Sequence, residues 1–512
     1  MAQDPLFQST GRREWRNWHD FKHSIDDLIN VWNGEPNQST VEGYTATTRG
    51  FQRQIGEALG QDRHLRAIGA GWSYSTVGTV QGQLFNTRPL NYRFSLTGHA
   101  HADFVSQGGG SGDPSEHLVL AQCGNSIADL NRHFEPLGKS LRTSGAANGQ
   151  TIAGALQTGT HGAAIDIGAI PETVRALHLI TSPQRSVWLE RASEPVARDE
   201  IAAAFGAELI RDDALFDAAL VGLGSFGIVH GVVVESTDLF WLQAWRQKMK
   251  VDEDLWRAID QLELDAVKLP RPDDRPHHFQ LFINPYTFDD EGPFVVTMYR
   301  DDEQQSNCEP SPFGPSRAGD GALEVLGMIT DIAPNLTPIL ATQLIGRLYP
   351  EYARVCGKHS EIFTDTNVRG KSASTAFGIP LGQVRDALTR VLRLVREEQA
   401  PATMALRYVK SSRATLSFTR HAPQTCVMEI DGPRSDLMLG LYEKVWRELE
   451  DSGIPFTFHW GKMSDLSRNP ARVRRMYGDA VDAWRAARET LLPTPELRRV
   501  FSNAYIEGAG LA

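Results

Sequence analysis

From about Val41 to Ser236 the chain alternates short apolar runs, glycine turns and segments of helical period. "LVLAQCG" (118–124), "VRALHLIT" (174–181) and "IVHGVVVES" (228–236) have the length and continuous apolar character of buried strands. "SIADLNRHFEPLG" (126–138) spaces Ile127, Leu130 and Phe134 by three to four residues, which predicts a helix ending at Gly138. Near residue 237 the texture changes. "MKVDEDLWRAIDQLEL" (249–264) predicts an amphipathic helix, and "HHFQLFIN" (277–284) and "GPFVVTMYR" (292–300) predict strands. Residues 301–322 are rich in Asp, Gln, Ser, Pro and Gly and read as a long loop. Helices are expected over 336–356 and 382–399. Strands then return at 403–409, 414–420 and 425–431, followed by a helix at 437–451, the run "FTFHWGKM" (456–463) and a basic helical tail at 470–505.

A chain of 512 residues can bury a large core and hold several domain-sized units. Its formal charge of −11 offers no general attraction to nucleic acid or anionic membrane. Arg468, Arg472, Arg474 and Arg475 read as a solvated helix face. The apolar stretch 328–349 contains Asp331, Asn335, Gln343 and Arg347, too polar to span a bilayer. The N-terminus lacks the apolar run of a signal peptide. Cys123, Cys308, Cys356 and Cys426 have no zinc-ligand spacing and make no disulfide framework. Together these features predict a soluble, cytoplasmic protein with reduced thiols and no metal.

Three glycine-bearing segments stand out: "AIGAGWS" (67–73), "SGAANGQTIAGALQTGTHG" (144–162) and "GLGSFGIVHG" (222–231). Backbone N–H groups exposed in glycine turns form nests for anionic oxygens such as a pyrophosphate. A small-residue core would explain the alanines of the second segment but not its polar run "QTGTHG". Gly222, Gly224 and Gly227 spell G-x-G-x-x-G. They precede a strand instead of opening a helix, so the dinucleotide fingerprint is rejected.

"RAIGAGWS", "CGNSIADLNRHFEPLGKSL", "TIAGALQTGTHG", "GLGSFGIV" and "HWGK" occur in the order typical of one family. The chain resembles flavoproteins of the vanillyl-alcohol oxidase superfamily, in the branch of alditol oxidases, sugar-1,4-lactone oxidases and flavin-linked cholesterol oxidases. The resemblance spans 14–236 well and 456–505 moderately. It implies an α+β, two-domain FAD-binding PCMH-type fold. A FAD domain would comprise 1–236 with a returning segment 441–512. A sheet-plus-helices cap domain, 237–440, would cover the substrate side. The implied activity is oxidation of a CH–OH group by hydride transfer to flavin N5, with dioxygen reoxidising the flavin to give hydrogen peroxide. A dehydrogenase using a quinone or cytochrome, and a flavoprotein-like binding module without oxidase activity, are the rivals.

Carried onto this sequence, the resemblance places Ile68, Gly69, Ala70, Gly71, Trp72 and Ser73 around the FAD pyrophosphate, with Ser73 as a hydroxyl donor. Thr151, Gly154, Thr158, Gly159, His161 and Gly162 would line the pyrophosphate and isoalloxazine, and Ile228 and Val229 the adenine end. Gly145 falls on the position that gates dioxygen. Many relatives carry, at position 72, a histidine bonded to the flavin 8α-methyl carbon. Trp72 has no comparable lone pair, so FAD is expected to be non-covalent. Two readings of Trp72 stay open: packing against the flavin's dimethylbenzene edge, or filling the space of the missing histidine.

Arg407 and Lys462 match positions that contact substrate hydroxyl or flavin, and a cation beside a developing alkoxide lowers the barrier to its formation. His459 reads as an acid/base or orienting group, or as a core histidine. Alditol oxidases carry a glutamate two residues before the arginine, where this chain has Ala405. Glu429 and Asp431 fall on histidine and threonine positions of the next-but-one strand. The acidic partner has therefore migrated to another strand, and the two carboxylates could share the work of accepting the alcohol proton. Lacking that glutamate, the chain gives no ground for expecting polyol specificity. The run 336–349 reads either as lining a less polar pocket or as a buried helix.

Overall fold

The computed structural model describes residues 5–34, 40–109, 112–303, 308–310, 337–348, 350–363 and 371–512. The helix Thr40–Gly60 buries Tyr44, Thr48, Phe51, Ile55 and Ala58, spaced by three or four residues, on one face. Phe51 and Ile55 pack with Phe7, Ile29, Val31, Leu65 and Phe85 of a four-stranded sheet. Its strands run in the order Phe7–Ser9, Asp27–Val31, Gln83–Asn86, Leu65–Ile68, and the last three are parallel.

A second sheet carries the apolar runs of the first half. Ile228–Asp238 lies between Val174–Ser182 and Leu118–Gln122, antiparallel to both. These three strands are buried almost throughout, which is why they read as continuous hydrophobic runs. The expected helix after Leu118–Gln122 spans Ile127–Phe134. Its Ser126 hydroxyl accepts from the Asp129 N–H and the Asp129 carboxylate from the Ser126 N–H, a reciprocal cap. Gly138 ends the segment in the left-handed region, φ 67°.

The third sheet has nine strands among the described residues, in the order Glu309–Pro310, Tyr352–Lys358, Trp241–Lys248, Phe294–Asp301, His278–Ile283, Thr403–Lys410, Gln424–Pro433, Ser372–Pro380, Thr457–Phe458. The helices Val384–Glu397 and Asp436–Asp451 cover one side of it. The C-terminal helices cross to the first half, where the Trp484 indole donates to the Val221 carbonyl at 3.1 Å. The resulting class is mixed α+β.

Four expectations are corrected. Residues 414–420 form a buried loop, not a strand. Its carbonyls are taken by side chains: the Trp460 indole donates to Leu416 at 2.7 Å and the Thr457 hydroxyl to Phe418. With no strand there, Thr403–Lys410 and Gln424–Pro433 are immediate neighbours. The helix expected over 336–356 spans only Thr337–Leu348, because Pro350 cannot continue it, and Tyr352–Lys358 joins the sheet. Ser372–Pro380 is an unanticipated central strand. Finally, Cys308 and Cys356 are joined in a disulfide across 48 residues, so these thiols are not both reduced. Parallel pairing of Glu309–Pro310 with Tyr352–Lys358 brings them together. The expected loop 301–322 lies mostly outside the described residues. No helix among the described residues is long and apolar enough to cross a membrane.

Candidate active site

The strand Leu65–Ile68 delivers the chain into Gly69-Ala70-Gly71, which turns with Gly71 at φ 71°. A Cβ on Gly69 would stand 2.0 Å from Thr151 Oγ1, so the turn lies directly on the start of the helix Ile152–Thr158. Thr151 caps that helix by accepting from the Gly154 N–H at 3.3 Å. Two glycine segments far apart in sequence thus form one wall. Among the described residues the backbone N–H groups of Ala70, Gly71, Trp72 and Ser73 meet no acceptor. They edge a cavity of about 580 Å³, a size typical of small-molecule and cofactor sites.

Arg407, Glu429, Asp431, Lys462 and His161 converge in the wall of the same cavity. Arg407 Nη1 sits 2.8 Å from Glu429 Oε2. Lys462 Nζ lies 3.7 Å from Glu429 Oε1 and 4.0 Å from Asp431, and donates to the Ser374 hydroxyl at 2.7 Å. The His161 Nδ1–H donates to the Gly162 carbonyl at 3.0 Å, which turns Nε2 toward Glu429 at 3.8 Å. Tyr74 lies under Lys462, with the ammonium 5.2 Å from the ring centroid, and His19 stacks on Tyr74 at 3.7 Å.

Sheet register explains the cluster. Ala405 lies directly opposite Glu429 and Thr403 directly opposite Asp431, so all four side chains share a face with Arg407. The missing glutamate at 405 and the carboxylate at 429 are therefore cross-strand neighbours on adjacent strands, not separated by an intervening one.

Burial opposes ionisation of Glu429, but the Arg407 and Lys462 cations outweigh it and hold its carboxyl well below the usual range. Asp431 moves the other way: burial raises it, Lys462 opposes the rise and the Glu429 charge reinforces it. Burial tends to neutralise Lys462, yet the two carboxylates keep it raised. Burial pushes His161 down to about 4 and His459 well below its ordinary value, so both imidazoles are neutral. His459 Nδ1 accepts from the Gly461 N–H at 2.9 Å, ordering the turn that carries Lys462.

Residues 272–508 match the family model described as D-arabinono-1,4-lactone oxidase. An L-gulono-1,4-lactone dehydrogenase of Mycobacterium tuberculosis is 24% identical over 458 residues, covering 88% of this chain and 91% of the relative. An L-gulonolactone oxidase of Bos taurus is 24% identical over 466 residues, covering 87% and 90%. The fold matches a cholesterol oxidase from B. sterolicum with a TM-score of 0.70 at 15% identity, over 99% of this chain and 98% of that one. A xylooligosaccharide oxidase from Myceliophthora thermophila matches with a TM-score of 0.61 at 12% identity, over 96% and 93%. Over most of its length the chain is similar to sugar-1,4-lactone oxidases and dehydrogenases, FAD-dependent oxidoreductases acting on CH–OH groups, and it shares its fold with a cholesterol oxidase.

The cavity fits FAD. The N–H groups of the glycine turn that find no acceptor among the described residues suit an anionic group such as a diphosphate. Three side chains in the wall, Arg66, Trp72 and Gln150, each keep at least one buried polar atom without a partner among the described residues. The cavity is lined by Ile68, Gly69, Ala70, Gly71, Trp72, Ser73, Gly145, Thr151, Gly154, Thr158, His161, Ile228, Val229, Arg407, Glu429, Asp431, His459 and Lys462.

Gly159 and Gly162 stand behind this wall. Gly159 ends the helix at φ 76°, and a Cβ on Gly162 would stand 2.3 Å from the Ser144 carbonyl. The Ser73 hydroxyl lies within hydrogen-bond distance of the Ser75 and Gly461 carbonyls, so its proton stitches the turn to the Lys462 loop. Trp72 stacks on Trp18 at 4.6 Å with its ring edge at the cavity. None of the described residues of 336–349 lines the cavity. Tyr74, His19, Ser372 and Arg66 escaped the sequence reading. Tyr74 and Arg66 flank the glycine turn itself, and His19 sits in the aromatic "WRNWHDF", the signals that pointed to them.

Proposed function

We propose that this protein oxidises the CH–OH group of a small or medium polyhydroxylated alcohol, with sugar 1,4-lactones the first class to test, using non-covalent FAD and dioxygen. The observation that carries the reading is the Arg407–Glu429–Lys462–Asp431 cluster in the cavity wall, with Glu429 buried and its three partners half-buried. FAD, when bound, supplies the acceptor for the hydride and, with dioxygen, the route to hydrogen peroxide.

The residues divide the remaining work. Asp431, whose carboxyl is raised, accepts the proton of the substrate hydroxyl. Lys462 and Arg407 steady the negative charge that grows on that oxygen as its proton leaves. Glu429 stays ionised and holds both cations in place. Tyr74, Ser372 and Thr403 supply the hydroxyl-lined wall that suits a polyhydroxylated substrate better than a sterol. His459 orders the Lys462 loop, and its neutral ring makes it a positioning residue. Trp72 occupies the place of the linking histidine, which supports a non-covalent flavin. Gly145 leaves the wall open for dioxygen: a Cβ there would stand 3.3 Å from Thr160 Cγ2.

Anaerobic mixing with L-gulono-1,4-lactone, D-arabinono-1,4-lactone, xylitol and cholesterol tests the substrate class. Bleaching of the flavin by a lactone or polyol supports it, and bleaching by cholesterol alone sinks it. A second reading, transfer of electrons to a quinone or cytochrome, is favoured by the mycobacterial relative described as a dehydrogenase. Slow reoxidation of the reduced flavin in air would select it.

A further inference from the structure

Arg66 precedes the glycine turn by three residues, and its side chain is only 2% exposed. It stands in the cavity wall with Leu65, Leu223, Gly224 and Phe501. Nη1 donates to the Leu223 carbonyl at 2.6 Å, while Nε and Nη2 are buried without an acceptor. Among the described residues no carboxylate pairs with it. The charge it feels is another cation, Arg488, 1% exposed, whose Nε donates to the Ser225 carbonyl and whose Nη2 donates to the Arg498 carbonyl and the Ser502 hydroxyl. Burial and the Arg488 charge bring Arg66 down to about 9, so it remains a cation at neutral pH. A buried charge is normally paired, because leaving water uncompensated is costly. Arg66 lines the cavity with a second buried cation acting on it and, among the described residues, no carboxylate paired to it, which leaves its compensation to a ligand.

We propose that Arg66 is the counter-charge of the cofactor's diphosphate, making this end of the cavity an electropositive seat for the ADP half of FAD. The proposal rests on the FAD reading. The unpaired N–H groups of residues 70–73 lie in the same wall and belong to the same anion site. The riboflavin half is uncharged and cannot offset a guanidinium. The cations Arg407 and Lys462 of the same cavity are already paired with Glu429 and Asp431.

The test is a fluorescence titration of the full chain, stripped of flavin, with FAD, ADP and adenosine, for the parent protein and for Arg66→Met and Arg66→Lys. In the parent, ADP should bind at least about tenfold more tightly than adenosine, and the difference should shrink with salt. Arg66→Met should raise the Kd of FAD and ADP at least about tenfold and leave adenosine unchanged, and Arg66→Lys should keep part of the affinity. Because the guanidinium is unpaired in the flavin-free chain, Arg66→Met should not lower the flavin-free Tm and should raise it. A structural arginine would behave in the opposite way.

A parent chain that binds no FAD overturns the FAD reading and this proposal together. FAD binding that is equally tight in Arg66→Met overturns this proposal alone. A fall in the flavin-free Tm of Arg66→Met also overturns it. Equal affinity of the parent for ADP and adenosine refutes it without any variant.

Discussion

Glu429→Gln is the sharpest probe of the acidic cluster. Glu429 is 3% exposed and is the shared counter-charge of Arg407 at 2.8 Å and Lys462 at 3.7 Å. Glutamine keeps the volume and removes the charge. Breaking a buried pair by removing one partner costs about 3–5 kcal/mol, because the other charge stays buried and uncompensated. Here Asp431 lies 4.0 Å from Lys462 and offsets part of that loss, which favours the lower end. If half of that lower figure is felt at the transition state, flavin reduction slows by about tenfold, and general acid–base groups commonly contribute about 100-fold or more. Without the Glu429 charge, Asp431 loses the repulsion that raises it, so the acid limb of the pH–rate profile should move to lower pH. Stopped-flow anaerobic reduction, with FAD content and circular dichroism as controls, measures this. The register adds a rescue: Ala405→Glu with Glu429→Ala places a carboxylate directly across the ladder, with Cβ atoms about 4.5–5.5 Å apart, and should recover at least about tenfold over Glu429→Ala alone. Near-normal reduction by both Glu429→Gln and Asp431→Asn would refute the reasoning.

Four further outcomes are expected. Acid precipitation should leave all the flavin in the supernatant, since Trp72 offers no histidyl bond, and colour in the washed pellet would contradict this. Gly145→Val should slow reoxidation of the flavin at least about tenfold more than its reduction in stopped-flow traces, its first side-chain carbon being 3.3 Å from Thr160 and 3.4 Å from the His161 carbonyl. Thiol titration of the denatured, unreduced chain should count two groups, Cys123 and Cys426. His178 and His230 are buried beside Tyr44 and depressed, His178 to about 3 and His230 well below its ordinary value. Their stabilisation is present above the unfolded value near 6.5 and lost as pH falls below it, at about 1.4 kcal/mol per pH unit per histidine. Urea midpoints measured from pH 7.5 to 5 should fall accordingly, and less steeply in His178→Gln.

The sequence by itself determined the strands of the first half, the helix Ile127–Phe134 and the glycine wall. Each depends on contacts or backbone demands that are local: a run buried on both faces, a reciprocal cap, a turn whose Gly71 takes φ 71°. The positions of Arg407 and Lys462 were legible too, because "HWGK" and "LRYV" are short contiguous patterns. Tertiary structure decided the rest. The run 414–420 alternates like a strand, yet its carbonyls are claimed by Trp460 and Thr457, residues distant in sequence, and it becomes a loop. That outcome makes the strands bearing Arg407 and Glu429 neighbours and sets Ala405 opposite Glu429. The pairing of Cys308 with Cys356 depends on a parallel strand pair that no spacing rule encodes. His19 reaches Tyr74 because it lies in the turn between the paired strands Glu14–Arg16 and Lys22–Ser24, which meets the glycine turn where the Trp18 N–H donates to the Gly71 carbonyl at 2.8 Å. Arg66 looks like an ordinary strand residue until packing removes its solvent and supplies no anion. A charge's environment belongs to everything that surrounds it, and only the assembled fold brings those surroundings together.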